Sequence, residues 1–122
     1  MDIGKIYTVE KIVQHADSAA ALGGGSVDVF ATPAMILMME EAARLVVQNE
    51  LPEGHTTVGT VVNIKHLAAT PVGKKVNATA KLMSVDGRRL VFEVEAADEN
   101  GIIGKGTHER AIIDIKRFMA KL

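Results

Sequence analysis

Thr32-Pro33-Ala34-Met35-Ile36-Leu37-Met38-Met39-Glu40-Glu41-Ala42-Ala43-Arg44-Leu45-Val46-Val47 is the stretch on which the fold turns. Threonine followed by proline reads as a helix start, with Thr32 as N-cap and Pro33 at the first helical position. The helix is predicted to run to about Glu50, because Pro52-Glu53-Gly54 cannot continue it. Its first two turns, Ala34 to Met39, are apolar all round and leave no face for water. Other structure is therefore expected to wrap the helix on most sides. The later turns regain a polar stripe through Glu41, Arg44 and Gln48.

On either side of this helix the chain reads as strand. Residues 5–13 are rich in β-branched side chains and predict a first strand; a stretch of small residues follows, ending in Gly23-Gly24-Gly25-Ser26, and reads as a loop. After the helix, residues 57–67, 74–85, 88–97 and 102–118 predict four long strands. Asp86-Gly87 and Asn100-Gly101 are hairpin signals, and Pro71-Val72-Gly73 separates the first pair. Leu90, Phe92, Val94 and Ala96 share one face of their strand, while Glu93 and Glu95 take the other. One strand, one apolar helix and a four-strand meander predict an α+β hotdog fold: an antiparallel sheet of about five strands wrapped around one long central helix.

Composition narrows the function. The chain has 122 residues, enough for one domain over 1–122, and no repeat or linker divides it. It is 48% hydrophobic with a net charge of -1, which points to neither a disordered chain nor a nucleic-acid footprint. Aromatic residues make up 3%, too few for a base-stacking platform. With no cysteine there is neither a disulfide framework nor a thiolate nucleophile, in keeping with a reducing cytoplasm. Asp2, Lys5, Glu10 and Lys11 do not suit a signal peptide, and no apolar run is long enough for a membrane span. A cytoplasmic protein is expected, with no membrane partner.

Three polar residues then fall where an apolar chain has little use for them. Thr32 stands at the mouth of the helix. It serves as an N-cap, and its hydroxyl also lies where unpaired N–H groups favour an oxyanion. Glu40 either pairs with Arg44 four residues on or, partly desolvated among Met38 and Met39, has a raised pKa and works as a base. His66 shares side-chain parity with Val58, Thr60, Val62 and Ile64, so it is aimed at the helix as a core histidine or as a catalyst. Helix geometry adds a constraint. Thr32 and Glu40 lie roughly 12 Å apart along the axis and about 80° apart around it. They cannot meet within one regular helix, so the set either brackets an extended substrate or mixes residues of two subunits. Open sheet edges favour the second, a homodimer or a higher oligomer.

Other residues point less sharply. Gly59, Gly104 and Gly106 interrupt strands, marking bulges or close approaches of the backbone. His15, His55 and His108 have no ligand spacing, so no metal is expected. Arg110 can reach a phosphate or serve a surface ion pair.

Taken together, Val29-Phe30-Ala31-Thr32, Gly59-Thr60, His66 with Ala68-Ala69-Thr70-Pro71, Gly87-Arg88-Arg89-Leu90 and Gly104-Lys105-Gly106-Thr107-His108-Glu109-Arg110-Ala111 resemble the fluoroacetyl-CoA thioesterase group of hotdog-fold proteins. The resemblance covers roughly residues 29 to 118. It implies a dimer that hydrolyses short acyl-CoA thioesters with Thr32, Glu40 and His66 as catalytic residues. Gly59 and Arg110 fall on its substrate-binding positions. No cofactor is implied, since coenzyme A is part of the substrate. Where the fluoroacetyl-specific enzyme carries phenylalanines over its substrate, this chain has Gly23-Gly24-Gly25-Ser26-Val27-Asp28, from which no aromatic lid can be built. Two rival readings share the fold: a non-catalytic acyl-CoA or metabolite-binding protein, and a hydratase or dehydratase acting on carrier-bound acyl chains.

Overall fold

A computed structural model describes residues Met1–Leu122, and its core is built where one helix meets one sheet. The strands are β1 (Ile6–Ile12), β2 (His55–His66), β3 (Lys75–Asp86), β4 (Arg89–Asp98) and β5 (Gly101–Asp114). They form a single sheet in the order β1-β3-β4-β5-β2, with every neighbour antiparallel. A short helix α1 (Ala19–Leu22) precedes the long helix α2 (Thr32–Val47), which continues through a 3-10 turn to Glu50. No helix is long and apolar enough to cross a membrane.

Period-2 patterning positions the sheet face. Val76, Ala78, Ala80 and Leu82 of β3 and Leu90, Phe92, Val94 and Ala96 of β4 are all buried. Against them α2 lays Met35, Met38, Met39, Ala42, Ala43, Val46 and Val47, a stripe at helical spacing. The small side chains at Ala78, Ala80, Ala42 and Ala43 let the helix approach closely, and the methionines fill the uneven gaps. Burying this stripe, at about 25 cal/mol per Å² of apolar surface, is the main force holding α2 in place.

The helix is not wrapped as its first turns predict. Leu37 is 65% exposed, and only one side of α2 meets the sheet. A five-stranded sheet curls round half of a helix, and no other element of the chain covers the rest.

Three further departures have local causes. The fifth strand stops at Asp114, whose carboxylate accepts the Arg117 N–H at 3.1 Å and caps helix α3 (Ile115–Ala120). Residues 14–31 are more ordered than a loop: Ser18 caps α1, Gly23 ends it with φ +80°, and isolated bridges join Ser18 to Phe30 and Val29 to Pro71. In β2 the register shifts between Gly59 and Val61. Such a bulge flips side-chain parity, so Thr57 and Gly59 lie on the same face as Ile64 and His66. The even-numbered run from Val58 to His66 is therefore broken at its start.

Glycine allows two tight contacts inside the sheet. A Cβ on Gly106 would overlap the Asn63 carbonyl oxygen, and one on Gly104 would stand 2.6 Å from both Cε and Sδ of Met35. Gly104 lies opposite His66 in the β2–β5 register, and the Met35 thioether fills the space over that glycine.

Candidate active site

Phe30 and Ala31 fix where α2 begins. Both are buried; the Phe30 N–H donates to the Thr70 carbonyl at 2.7 Å and the Ala31 N–H to the Asp17 carbonyl at 2.8 Å. Ala31, not Thr32, occupies the N-cap with extended backbone (φ -74°, ψ 144°). The Thr32 hydroxyl is thereby released from capping. The first intrahelical bond runs from the Met35 N–H to the Ala31 carbonyl, which leaves the N–H groups of Thr32 and Ala34 without a protein acceptor. Positive potential is concentrated there.

That hydroxyl meets His66. Thr32 Oγ1 and His66 Nδ1 are 2.8 Å apart. The histidine is held at the end of β2, where the Leu67 N–H donates to the Ile103 carbonyl at 2.6 Å. Downstream, the buried Thr70 hydroxyl donates to Asp98 at 2.6 Å and anchors the segment that returns to the helix start. The other ring nitrogen, Nε2, is buried without a hydrogen-bond partner. Burial holds the His66 pKa below its ordinary value of 6.5, with the backbone at Ala68 acting in the opposite sense. The ring is therefore neutral near pH 7, with one nitrogen on the threonine and one left over.

Glu40 belongs to a second cluster. Its partner is not Arg44: its Oε2 lies 3.7 Å from Arg110 Nη1. Arg110 is 6% exposed, so it is a buried cation rather than the holder of a surface ion pair. Its Nε donates to Thr57 Oγ1 at 2.7 Å and its Nη2 to the Thr57 carbonyl at 2.8 Å. Burial pushes the guanidinium below its ordinary range, and the Glu40 charge opposes this. Gly59 makes room for the pair, since a Cβ there would stand 2.7 Å from Glu40 Oε2. A shallow groove lined by Leu37, Glu40, Glu41, Arg44 and Arg110 opens this cluster to the surface.

The chain thus brings Thr32 to His66 and Glu40 to Arg110 and Gly59, but does not bring the two sets together. Thr57 and His108, both buried against Arg110, escape a reading by sequence. The parity of His108 with Gly106 and Arg110 on β5 is the signal that marks it as inward. No group of three or more His, Asp or Glu residues is placed to hold a metal ion. A wider concavity, lined by Lys65, Lys81, Glu93, Glu95 and Lys105, lies on the outer face of the sheet and contains none of these site residues.

A curled antiparallel sheet on one long helix, with open edges and polar groups gathered along that helix, is the architecture of hotdog-fold thioesterases. Residues 13–116 match the profile of the family described as FlK, fluoroacetyl-CoA-specific thioesterase. The chain belongs to that family and is a thioesterase. It is 45% identical over 95 residues to the fluoroacetyl-CoA thioesterase of Streptantibioticus cattleyicolor, a match covering 78% of this chain and 68% of that protein. A solved structure of the fluoroacetyl-CoA thioesterase FlK superposes with a TM-score of 0.93 at 38% identity, covering 99% of this chain and 94% of that one. A hypothetical protein of Thermus thermophilus, described as a thioesterase superfamily member, gives a TM-score of 0.91 at 30% identity over 98% and 89% of the two chains.

Proposed function

We propose that this acyl-CoA thioesterase hydrolyses a short acyl-CoA to the free acid and coenzyme A, at a site that two copies of the chain complete. The observation that carries the reading is the pairing of Thr32 with a neutral His66 whose second nitrogen has no partner. A neutral imidazole bonded to a hydroxyl is ready to take its proton. The thioester carbonyl sits at the start of α2, and the Thr32 and Ala34 N–H groups receive the oxyanion.

Two routes use these groups. In one, Thr32 Oγ1 bonds to the carbonyl carbon as its proton passes to His66 Nδ1; the C–S bond then breaks, the proton goes to the departing thiolate, and water later releases the acid from the threonine ester. In the other, Thr32 orients a water that attacks directly, and His66 takes the proton of that water. Mass spectrometry after rapid quench separates them: an acylated Thr32 establishes the first, and its absence under burst conditions the second.

Glu40 serves from the second copy, acting as base on water at the Thr32–His66 pair. Within one chain it is held about 12 Å along α2 from Thr32, by the helical rise. Exposed Leu37 on the uncovered side of α2 gives the second copy an apolar surface to bury. Gly59 and Arg110 border the substrate from the Glu40 end.

Short acyl groups fit the packing, because Met35 is fully buried and fills the space over Gly104, the residue opposite His66 in the sheet. The absence of aromatic residues from 23–28, where Val27 is exposed, leaves no lid to select for fluorine. The test is a panel of acyl-CoAs from acetyl to decanoyl, with free thiol followed over time. Turnover should fall with chain length; a preference for decanoyl, or no turnover, overturns the reading.

pH supplies a second check. The working form of His66 is unprotonated, so kcat/KM falls as pH drops through the folded-state pKa. That value lies below 6.5, and activity should therefore persist to pH 6.5 before declining. A decline already complete above pH 7 would exclude His66 as the base.

A further inference from the structure

We propose that His108 is a positioning residue: with Thr57 it anchors the Arg110 guanidinium so that one edge of it holds Glu40 in place over Gly59. The proposal rests on the reading of Glu40 as part of the working set, and it gives a role to a buried histidine that the Thr32–His66 pair does not use.

His108 is 2% exposed, and its partners fix its chemistry. Nδ1 lies 2.7 Å from the Val61 carbonyl oxygen, which can only accept, so Nδ1 carries the hydrogen. Nε2 faces Arg110 Nη1 at 3.2 Å, and a guanidinium can only donate, so Nε2 offers its lone pair. One tautomer of the neutral ring satisfies both. Burial first, and the neighbouring Arg110 charge as well, favour that neutral form, against the opposing pull of Val61 and the nearby carboxylates.

The result is a guanidinium fixed on three sides. Thr57 takes Nε and Nη2, and His108 takes part of Nη1. Glu40 Oε2 lies 3.7 Å from the same Nη1, at ion-pair rather than hydrogen-bond distance. A buried arginine is costly unless its donors are met, and a single carboxylate at that distance would not meet them. Local backbone supports the same purpose. The β2 bulge falls between Gly59 and Val61, whose carbonyl receives His108. A Cβ on Gly59 would stand 2.7 Å from Glu40 Oε2 and 3.2 Å from His108 Cε1. Bulge, glycine, histidine and arginine thus converge on one carboxylate of α2.

The experiment compares His108→Leu, which fills the space without hydrogen bonds, with His108→Gln, which keeps a donor and an acceptor. His108→Leu should lower kcat about 10- to 100-fold with little change in KM, the scale of a displaced reacting group. His108→Gln should recover most of the loss. In a Glu40→Gln background His108→Leu should cost nothing further, because both act through one carboxylate. The Arg110 Nε–H resonance, which the buried bond to Thr57 Oγ1 should protect from exchange in the parent protein, should broaden or vanish in His108→Leu. Equal losses in both backgrounds, or an unchanged Arg110 resonance, overturn the proposal. If Glu40→Gln itself is fully active, the catalytic reading of Glu40 fails, and the Arg110 resonance alone then decides whether His108 anchors the guanidinium.

Discussion

His66→Ala is expected to lower kcat by about 10²- to 10⁴-fold, the usual contribution of a positioned general base. Both chemical routes need His66 Nδ1 to take a proton, whether from Thr32 or from water, so the loss does not depend on which one operates. The fold should survive. His66 closes β2 at its last residue and lies outside the buried cluster of α2, β3 and β4. The melting temperature should shift by a few degrees at most, and circular dichroism should be unchanged. Thr32→Ser, which keeps a hydroxyl 2.8 Å from the ring, should retain far more activity than Thr32→Ala. A His66→Ala protein that keeps more than a tenth of the parent kcat would show that the histidine is a core group and nothing more.

Mixing two inactive variants should restore activity, and this is the most direct test of a shared site. If His66 of one copy works with Glu40 of the other, a heterodimer of Glu40→Ala and His66→Ala has one intact site and one doubly damaged site. Random pairing of equal amounts makes half the dimers mixed, so about a quarter of the parent activity returns. A site contained in one chain gives a different result, because each site then carries one substitution and nothing is regained. Co-expression with two affinity tags isolates the mixed species, which should show about half of the parent activity. A purified mixed dimer no more active than either variant alone would refute the shared site. The separation behind this prediction is geometric: eight residues of helix place Glu40 roughly 12 Å beyond Thr32, and Arg110 holds it there.

Sequence alone made much of this legible where the signal is local. Thr32-Pro33 announces α2, the Leu90-Phe92-Val94-Ala96 alternation announces a half-buried strand, and Asp86-Gly87 and Asn100-Gly101 place their hairpins. The same local reading misassigned the residues whose role depends on distant partners. Thr32 looks like an N-cap until the Ala31 backbone takes that position. Glu40 looks like the partner of Arg44 until β5 brings Arg110 beneath it. His108 looks like one scattered histidine among four, because nothing in its neighbours along the chain reveals the Val61 carbonyl 47 residues away.

What the sequence by itself determined, then, is the five strands and the one long helix, the apolar face of β4 and the impossibility of Thr32 and Glu40 meeting on one helix. These follow from periodicity and helical rise, which act over a few residues. Only the tertiary structure decided that Thr32 pairs with His66 while Glu40 pairs with Arg110, and that His66 Nε2 and one side of α2 are left without partners. Those outcomes depend on strand register and on a bulge at Gly59. A one-residue shift in register turns every side chain to the other face, so they could be settled only once the strands had paired.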